Sequence, residues 1–473
     1  MNLAEEIFRH ADPEAPALLW HEGKMTYGEL ERRSCSVADA LRERFPTPGS
    51  RIGLRCPDGR DHVILSLGIL RAGCCLVPLA NELPPSERER VTGEISLAAV
   101  MIPEAGPESP GFALEPGGRP DPNLDRKLSG SDPAFIRFTS GTTGSSKGIL
   151  LTHRSLADRI GAANSGLGIR ASDRILWVLP MSHHFAVSIL LYLRYGAAIV
   201  LPESLLPGDL LRAARDHDAT VFYAAPFHYL LLVSGTEPSP VPENHPWPSL
   251  RLAVSTTAPL DAATARKFHA IHGVTPAQAL GVMEVGLPLI NLPRPELLPS
   301  SVGRPQAGFE AEIRGDDGLS CPPGKPGRLF LRGPGMFDAY VAPWRSREEA
   351  TEPGGWFATG DVAVIDDGGS VILQGRSVNV ISVGGMKFFP EEVEKVLRMH
   401  PRIVEARVIA TDHPALGAVP VAEVVLSEGP EVHRGELISL CRRELAPFKV
   451  PVTIRFLESL PKTPSGKIRR TPR

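Results

Sequence analysis

The sequence predicts an α/β fold. A large N-terminal domain should carry parallel sheets covered by helices and pass into a β-rich subdomain, followed by a small α+β C-terminal domain. Three observations predict it. Helical and strand-like stretches alternate from the N-terminus to about residue 300. From about Ser301, short β-like runs separated by Gly and Pro replace that alternation. After Arg376 a compact mixture of helices and strands closes the chain.

Taken in order, Tyr27–Arg42 reads as an amphipathic helix with Leu30, Val37, Ala40 and Leu41 on one face. Arg51–Cys56 is a short strand, His62–Ala72 a helix and Cys75–Pro78 a buried strand. Pro103–Pro122, rich in Pro and Gly, reads as a surface loop or linker. Arg174–Leu179, Ala197–Leu201 and Thr220–Ala224 are strands alternating with helices at Ser188–Tyr195 and Gly208–His217. Glu310–Arg314, Gly327–Arg332, Val362–Asp366 and Ser370–Gln374 make up the β-rich subdomain, about 301–375. Pro390–Arg398 is a helix whose early Glu391, Glu392 and Glu394 suit the positive end of its dipole. Val404–Ala410 and Val419–Ser427 are strands, and Gly435–Glu444 a helix. The domain boundary is expected near Gly375–Asn379, giving 1–375 and 376–473.

A formal net charge of -3 gives no global field drawing the chain to nucleic acid or to an anionic membrane. The six cysteines form no CxxC pair, so neither a structural zinc site nor a disulfide framework is expected. The opening MNLAEEIFRHADPEAP lacks the apolar core of a secretory signal, and a cytoplasmic protein with reduced thiols is expected. Charged or His residues interrupt the two most apolar stretches, so no membrane span is expected.

The strongest local signal is Phe138-Thr-Ser-Gly-Thr-Thr-Gly-Ser-Ser-Lys-Gly148, entered from the apolar run Ala134–Phe138. Glycines let backbone N–H groups turn inward, hydroxyls add donors, and Lys147 adds charge, a combination suited to a polyphosphate. The spacing is not that of a Walker A loop. On composition alone a solvated Ser/Thr/Gly loop fits as well.

The stretch resembles the phosphate-binding signature of the adenylate-forming superfamily of acyl-CoA synthetases, nonribosomal adenylation domains and beetle luciferases. Further segments resemble that family in the same order: Ser301-Val-Gly-Arg-Pro305, Ala358-Thr-Gly-Asp361, Gly375–Ile381, Gly384–Glu394 and Pro461–Arg469. The resemblance implies stacked sheets in the large domain and a mobile C-terminal lid. It also implies the site. Thr139, Ser140, Gly141, Thr142, Thr143, Gly144 and Lys147 should cradle ATP phosphates. Thr257, Ala258, Pro259, Leu280, Gly281 and Met283 should line the adenine and AMP. Asp361 and Arg376 should hold the ribose. Glu284 should serve Mg2+ bound with the phosphates, and Lys467 should be the catalytic cation of adenylation. Lys387, Gly384 and Gly385 should serve the thiol step. Ser377, Val378 and Asn379 should form the hinge of a rotating lid. His183, His184, Phe185 and Phe222 should gate or line the acyl pocket.

Read without the resemblance, Lys467 is one more base in a tail with Lys462, Arg469, Arg470 and Arg473, and Asp361 and Arg376 are an ordinary turn acid and surface base. Three positions depart from the family pattern. Leu280 replaces an aromatic residue, Met283 a threonine that reaches the AMP phosphate, and Asn379 a hinge aspartate. They leave a nucleotide-binding pseudoenzyme as the competing class. Ser182–Ser188 holds no acid that could pair with an α-amine, so the expected substrate is an aliphatic or aryl carboxylic acid. Coenzyme A is the expected acceptor, with the phosphopantetheine of a separate carrier protein as the alternative. No fused carrier domain is expected behind Arg473.

Overall fold

The computed structural model describes residues 1–81, 85–104, 111–139, 147–234, 246–376, 379, 381–383, 386–413, 416–462 and 468–469. The fold is mixed α/β, with contacts that divide it into two compact units. One comprises Met1–Ala311 and Leu331–Phe357, the other Glu312–Phe330 and Ala358–Arg473.

Among the described residues the first unit holds a nine-stranded and an eight-stranded sheet. In the nine-stranded sheet, Pro16–Trp20, Ala198–Val200, Arg174–Trp177, Val221–Ala224, Leu252–Ser255 and Ala277–Val282 run parallel in that spatial order. Antiparallel strands close both ends, Gly23–Thr26 at one and Gly286–Ile290 with Arg304–Pro305 at the other. Val221–Ala224 and Ala198–Val200 are buried at every residue, which is why they read as unbroken apolar runs. The eight-stranded sheet places Pro133–Thr139 between Cys75–Pro78, to which it is parallel, and Lys147–Thr152, to which it is antiparallel.

Helix Tyr27–Arg44 shows how local chemistry starts an element. Thr26 accepts from Glu29 N at 3.2 Å while Glu29 accepts from Thr26 N at 2.9 Å, a reciprocal capping box. Its buried face is Leu30, Ser34, Val37, Ala38 and Leu41, so Ala38 takes the place expected for Ala40, which points to solvent. The Tyr27 hydroxyl donates to Leu193 O and Ala197 O, tying this helix to the segment before Ala198–Val200. The helix expected at Ser188–Tyr195 begins earlier, at Met181, and includes a wide turn at Phe185–Ile189. The expected loop Pro103–Pro122 is only partly a loop. Gly111–Pro116 pairs antiparallel with Ala99–Glu104, because its Gly and Pro residues bound the run Phe112–Glu115 instead of interrupting it.

An aromatic core behind the nine-stranded sheet packs Phe222 edge-on against Tyr229 and Trp247, at 5.2 and 5.3 Å, and Tyr229 against Phe268 at 4.9 Å. Each such pair adds about 0.5–1.5 kcal/mol beyond burial.

The second unit holds a sheet in which Gly417–Leu426 pairs with Ile403–His413, Ile381–Val383 and Thr453–Phe456. Helices Pro390–Leu397 and Arg434–Glu444 cover it through Val393, Leu397, Leu437 and Cys441. A four-stranded sheet of Glu310–Arg314, Gly327–Arg332, Phe357–Ile365 and Val371–Arg376 accounts for the β-rich texture read from the sequence. No helix among the described residues is long and apolar enough to cross a membrane, and the six cysteines are free thiols.

His62, in helix Arg60–Arg71, is fully enclosed against Phe185, with ring centroids 5.7 Å apart. Burial pushes its imidazole down from 6.5 to about 4. The unfolded chain therefore takes up this proton at a higher pH than the folded one. The contribution is complete above the unfolded value and lost as pH falls toward the folded one, roughly 3 kcal/mol in all. Urea-unfolding free energies should decline between pH 7 and pH 4.5, and His62→Phe should flatten that decline. An identical pH dependence in the variant would show that His62 is not its source.

Candidate active site

The loop expected to hold phosphates is closed at its base by a strand pair, with Thr139 opposite Lys147 and Phe138 opposite Gly148. Ser140, Gly141, Thr142, Thr143 and Gly144 lie outside the described residues, as do Ser377, Val378, Gly384, Gly385 and Lys467. For Thr139, Arg376 and Lys387 only the backbone is described.

Lys147 leaves its strand with its ammonium over the Tyr340 ring, 4.9 Å from the centroid. Tyr340 stands opposite Ile149 on the neighbouring strand Ala339–Val341, and its hydroxyl donates to Glu284 Oε1 at 2.9 Å. Burial and the adjacent Glu284 carboxylate both push the Tyr340 phenol up, so it remains a donor. Glu284 thus meets the loop's lysine through a shared tyrosine.

Two further contacts set Glu284 in place. It occupies the turn between Ala277–Val282 and Gly286–Ile290, where Val285 N donates to Val282 O at 2.9 Å. Phe337 N donates to Glu284 O at 2.8 Å. Behind it Arg159, only 1% exposed, donates to Met283 O at 2.8 Å and to Gly335 O at 2.9 and 2.8 Å. Gly335 is required here: φ is +66°, and a Cβ would lie 2.3 Å from Arg159 N.

Arg137 forms the third corner. It donates to His183 O at 2.6 Å and to His183 Nδ1 at 3.0 Å, and approaches Met283 Sδ at 3.7 Å. A guanidinium cannot accept, so Nδ1 is the acceptor and the neutral His183 ring carries its proton on Nε2. Desolvation lowers Arg137 to about 10, against the opposing pull of Glu284.

Of the expected site residues, the fold therefore gathers Lys147, Glu284, Met283 and His183 in one neighbourhood. Thr257–Pro259 follow strand Leu252–Ser255. Gly281 lies beside Thr256, since a Cβ on Gly281 would come within 4.0 Å of Thr256 Oγ1. Thr257 has φ +76°, a strained backbone for a β-branched residue. Leu280, half-buried, and Gly281, exposed, belong to the same edge. His184 is set apart from His183, its ring 6.1 Å from Trp177. Phe185 and Phe222 are fully buried, the first against His62 and the second within the aromatic core. In the second unit Asp361 is buried and directly opposite Arg376 across an antiparallel pair, and its N–H donates to Thr359 Oγ1 at 3.0 Å. Lys387 stands opposite Ser382, and Asn379 is half-buried.

Sequence reasoning missed Arg137, Arg159 and Tyr340. One signal was present: Arg137 is the single charge in the otherwise apolar run leading into the loop. Arg159 and Tyr340 carry no local sign of their roles.

The described residues contain no group of three or more His, Cys, Asp or Glu able to hold a metal by themselves. Glu284 is a single half-buried carboxylate, and Mg2+ is commonly held by one or two carboxylates with water and substrate phosphates, so this residue fits such an ion.

Residues 7–341 match the family described as AMP-binding enzyme, and residues 392–467 match AMP-binding enzyme C-terminal domain. The chain is 27% identical to a sulfoacetate–CoA ligase of Cupriavidus necator, over 97% of this chain and 94% of the relative. It is 29% identical to a feruloyl-CoA synthase of an Amycolatopsis species, over 96% and 94%. ATP-bound MatB from Rhodopseudomonas palustris shares its fold with a TM-score of 0.84 at 26% identity, covering 99% of this chain and 97% of that one.

Replacing Arg159 would leave the Met283 and Gly335 carbonyls without their donors in a buried place. Arg159→Met should lower unfolding free energy by about 2–4 kcal/mol, read as a reduced urea midpoint at unchanged m-value. A shift of a few tenths would mean the carbonyls find other partners.

Proposed function

The chain belongs to the AMP-binding enzyme family, and on that footing we propose that it activates a carboxylic acid with ATP as an acyl-AMP and passes the acyl group to coenzyme A. The observation that carries this reading is the line from Lys147 through Tyr340 to Glu284 at the base of the Thr139–Lys147 loop. Cation, donor and carboxylate converge at the end of the strand that flanks the Gly- and hydroxyl-rich stretch 140–146, a composition that suits a triphosphate with its divalent ion. The named relatives are themselves CoA ligases.

In the first half-reaction a carboxylate oxygen attacks the α-phosphorus, and the bond to pyrophosphate breaks with its electron pair on the leaving group. Negative charge accumulates on phosphate oxygens, so fixed cations and correct placement supply most of the rate. Lys147 serves the phosphates from the loop, and Tyr340 occupies one Glu284 oxygen, leaving the carboxylate able to hold Mg2+ were it bound. Mg2+, when bound, screens the phosphate charge. Asp361 and Arg376 hold the ribose, and Lys467 supplies the cation of this step. In the second half-reaction the thiolate attacks the acyl carbon and AMP leaves. Lys387, Gly384 and Gly385 serve that step after rotation of a lid formed by 376–473.

The acid is aliphatic or aromatic and carries no α-amine. Support comes from Ser182–Ser188, which lacks an acid. A panel including sulfoacetate, ferulate, malonate, benzoate and medium-chain fatty acids, crossed with coenzyme A and a pantetheinylated carrier protein, tests the reading by pyrophosphate release and mass spectrometry of thioesters. Acid-dependent pyrophosphate with CoA thioester is expected. ATP binding without release for any acid would leave a pseudoenzyme, and product only on the carrier would move the acceptor.

Two variants divide the half-reactions. Lys467→Ala should slow acyl-AMP formation by about 10²-fold or more while sparing thioester formation from supplied acyl-AMP. Lys387→Ala should do the reverse, slowing thiol transfer at near-normal pyrophosphate release. Equal loss of both steps in either variant would count against its assignment.

A further inference from the structure

Arg137 is a cation held entirely by neutral partners. Its strand, Pro133–Thr139, feeds the phosphate loop, and the residues before it on that strand are buried and apolar. One guanidinium nitrogen donates to the His183 carbonyl and touches the Met283 thioether, and another donates to His183 Nδ1. The third, Nε, is enclosed without a hydrogen-bond partner. Among the described residues no carboxylate makes an ion pair with it, and Glu284 acts on it only at longer range. Neutral contacts compensate a desolvated guanidinium poorly, and its lowered affinity for the proton reports that cost. The side chain is nevertheless half-buried and not sealed.

Its surroundings suit an anionic ligand. Arg137 lies between the gate histidine and the Met283–Glu284 turn, two residues before the loop begins. Arg137 and Lys147 come from the paired strands Pro133–Thr139 and Lys147–Thr152, and they approach the Met283–Glu284 turn through the Met283 thioether and through Tyr340. Met283 offers this place only a thioether, which cannot donate. A phosphate ester presented here would find a planar cation already oriented by His183.

We propose that Arg137 binds the α-phosphate of the nucleotide, supplying from strand Pro133–Thr139 the donor that Met283 cannot. This rests on the nucleotide reading of the site, but it concerns a residue which that reading does not need. The acid substrate plays no part in it, so it can be tested before the acid is known.

The probe is the pair AMP and adenosine, titrated calorimetrically into the full-length chain without acid or metal. Wild type should bind AMP more tightly than adenosine. Arg137→Met should lose about tenfold of that preference, with adenosine affinity held. The urea midpoint of the variant is measured beside that of wild type, so that loss of the donor to the His183 carbonyl is told apart from loss of phosphate affinity. Arg137→Gln, which keeps a donor for the His183 carbonyl, should show the same loss. Adding Met283→Thr to Arg137→Met should recover part of it through a new hydroxyl donor.

An unchanged AMP preference in both single variants would overturn the proposal while leaving the nucleotide site standing. Equal weakening of AMP and adenosine would make Arg137 a structural support and overturn it too. If wild type binds neither ligand, the nucleotide reading falls first.

Discussion

The bracing of two buried carbonyls by Arg159 is the constraint on which the site depends. Met283 O and Gly335 O belong to segments far apart in the chain, yet one planar guanidinium satisfies both. The turn that carries Glu284 and the segment that leads to Tyr340 are thereby held at a set separation. Without it neither the Tyr340–Glu284 hydrogen bond nor the Phe337–Glu284 backbone bond would have a defined geometry. A buried charge is an expensive brace, and desolvation lowers Arg159 to about 10 despite Asp338 and Glu284 nearby. Its planar fork spans both acceptors at once, which an ammonium point charge does not.

On that brace rests an arrangement of two cations and a carboxylate. Lys147, Glu284 and Arg137 come from three separate strands or turns and meet through Tyr340, His183 and Met283. The two cations are partnered by a ring face, a carbonyl, an imidazole nitrogen and a thioether, none of them a carboxylate. Such groups keep a cation in position without quenching its field. A site of this kind is poised for an anionic ligand, and it fixes the tautomer of the histidine at its edge.

The parallel strands do less visible work. Leu252–Ser255 and Ala277–Val282 end side by side, so Thr256 and Gly281 come to be neighbours although their positions in sequence are well separated. The fully buried strand Leu252–Ser255 leads directly into the Thr257 turn, whose positive φ is a strained backbone for a β-branched residue.

Much of this was legible in the residues alone. Alternating helical and strand-like patterns identify the α/β class because backbone period and apolar period coincide locally. The hydroxyl- and glycine-rich loop, and the ordered motifs through Pro461–Arg469, identify the adenylate-forming family because their chemistry is contiguous in sequence. Glu284 and Lys147 are expected site residues on that resemblance. Tertiary structure alone decided that Phe222 belongs to the aromatic core, that His183 and His184 face different partners, and that Arg137, Arg159 and Tyr340 make contacts to Met283 and Glu284. These outcomes depend on distances between residues scores of positions apart. A sequence records which side chains exist and their local period, but contact across the fold is set by how whole sheets pack.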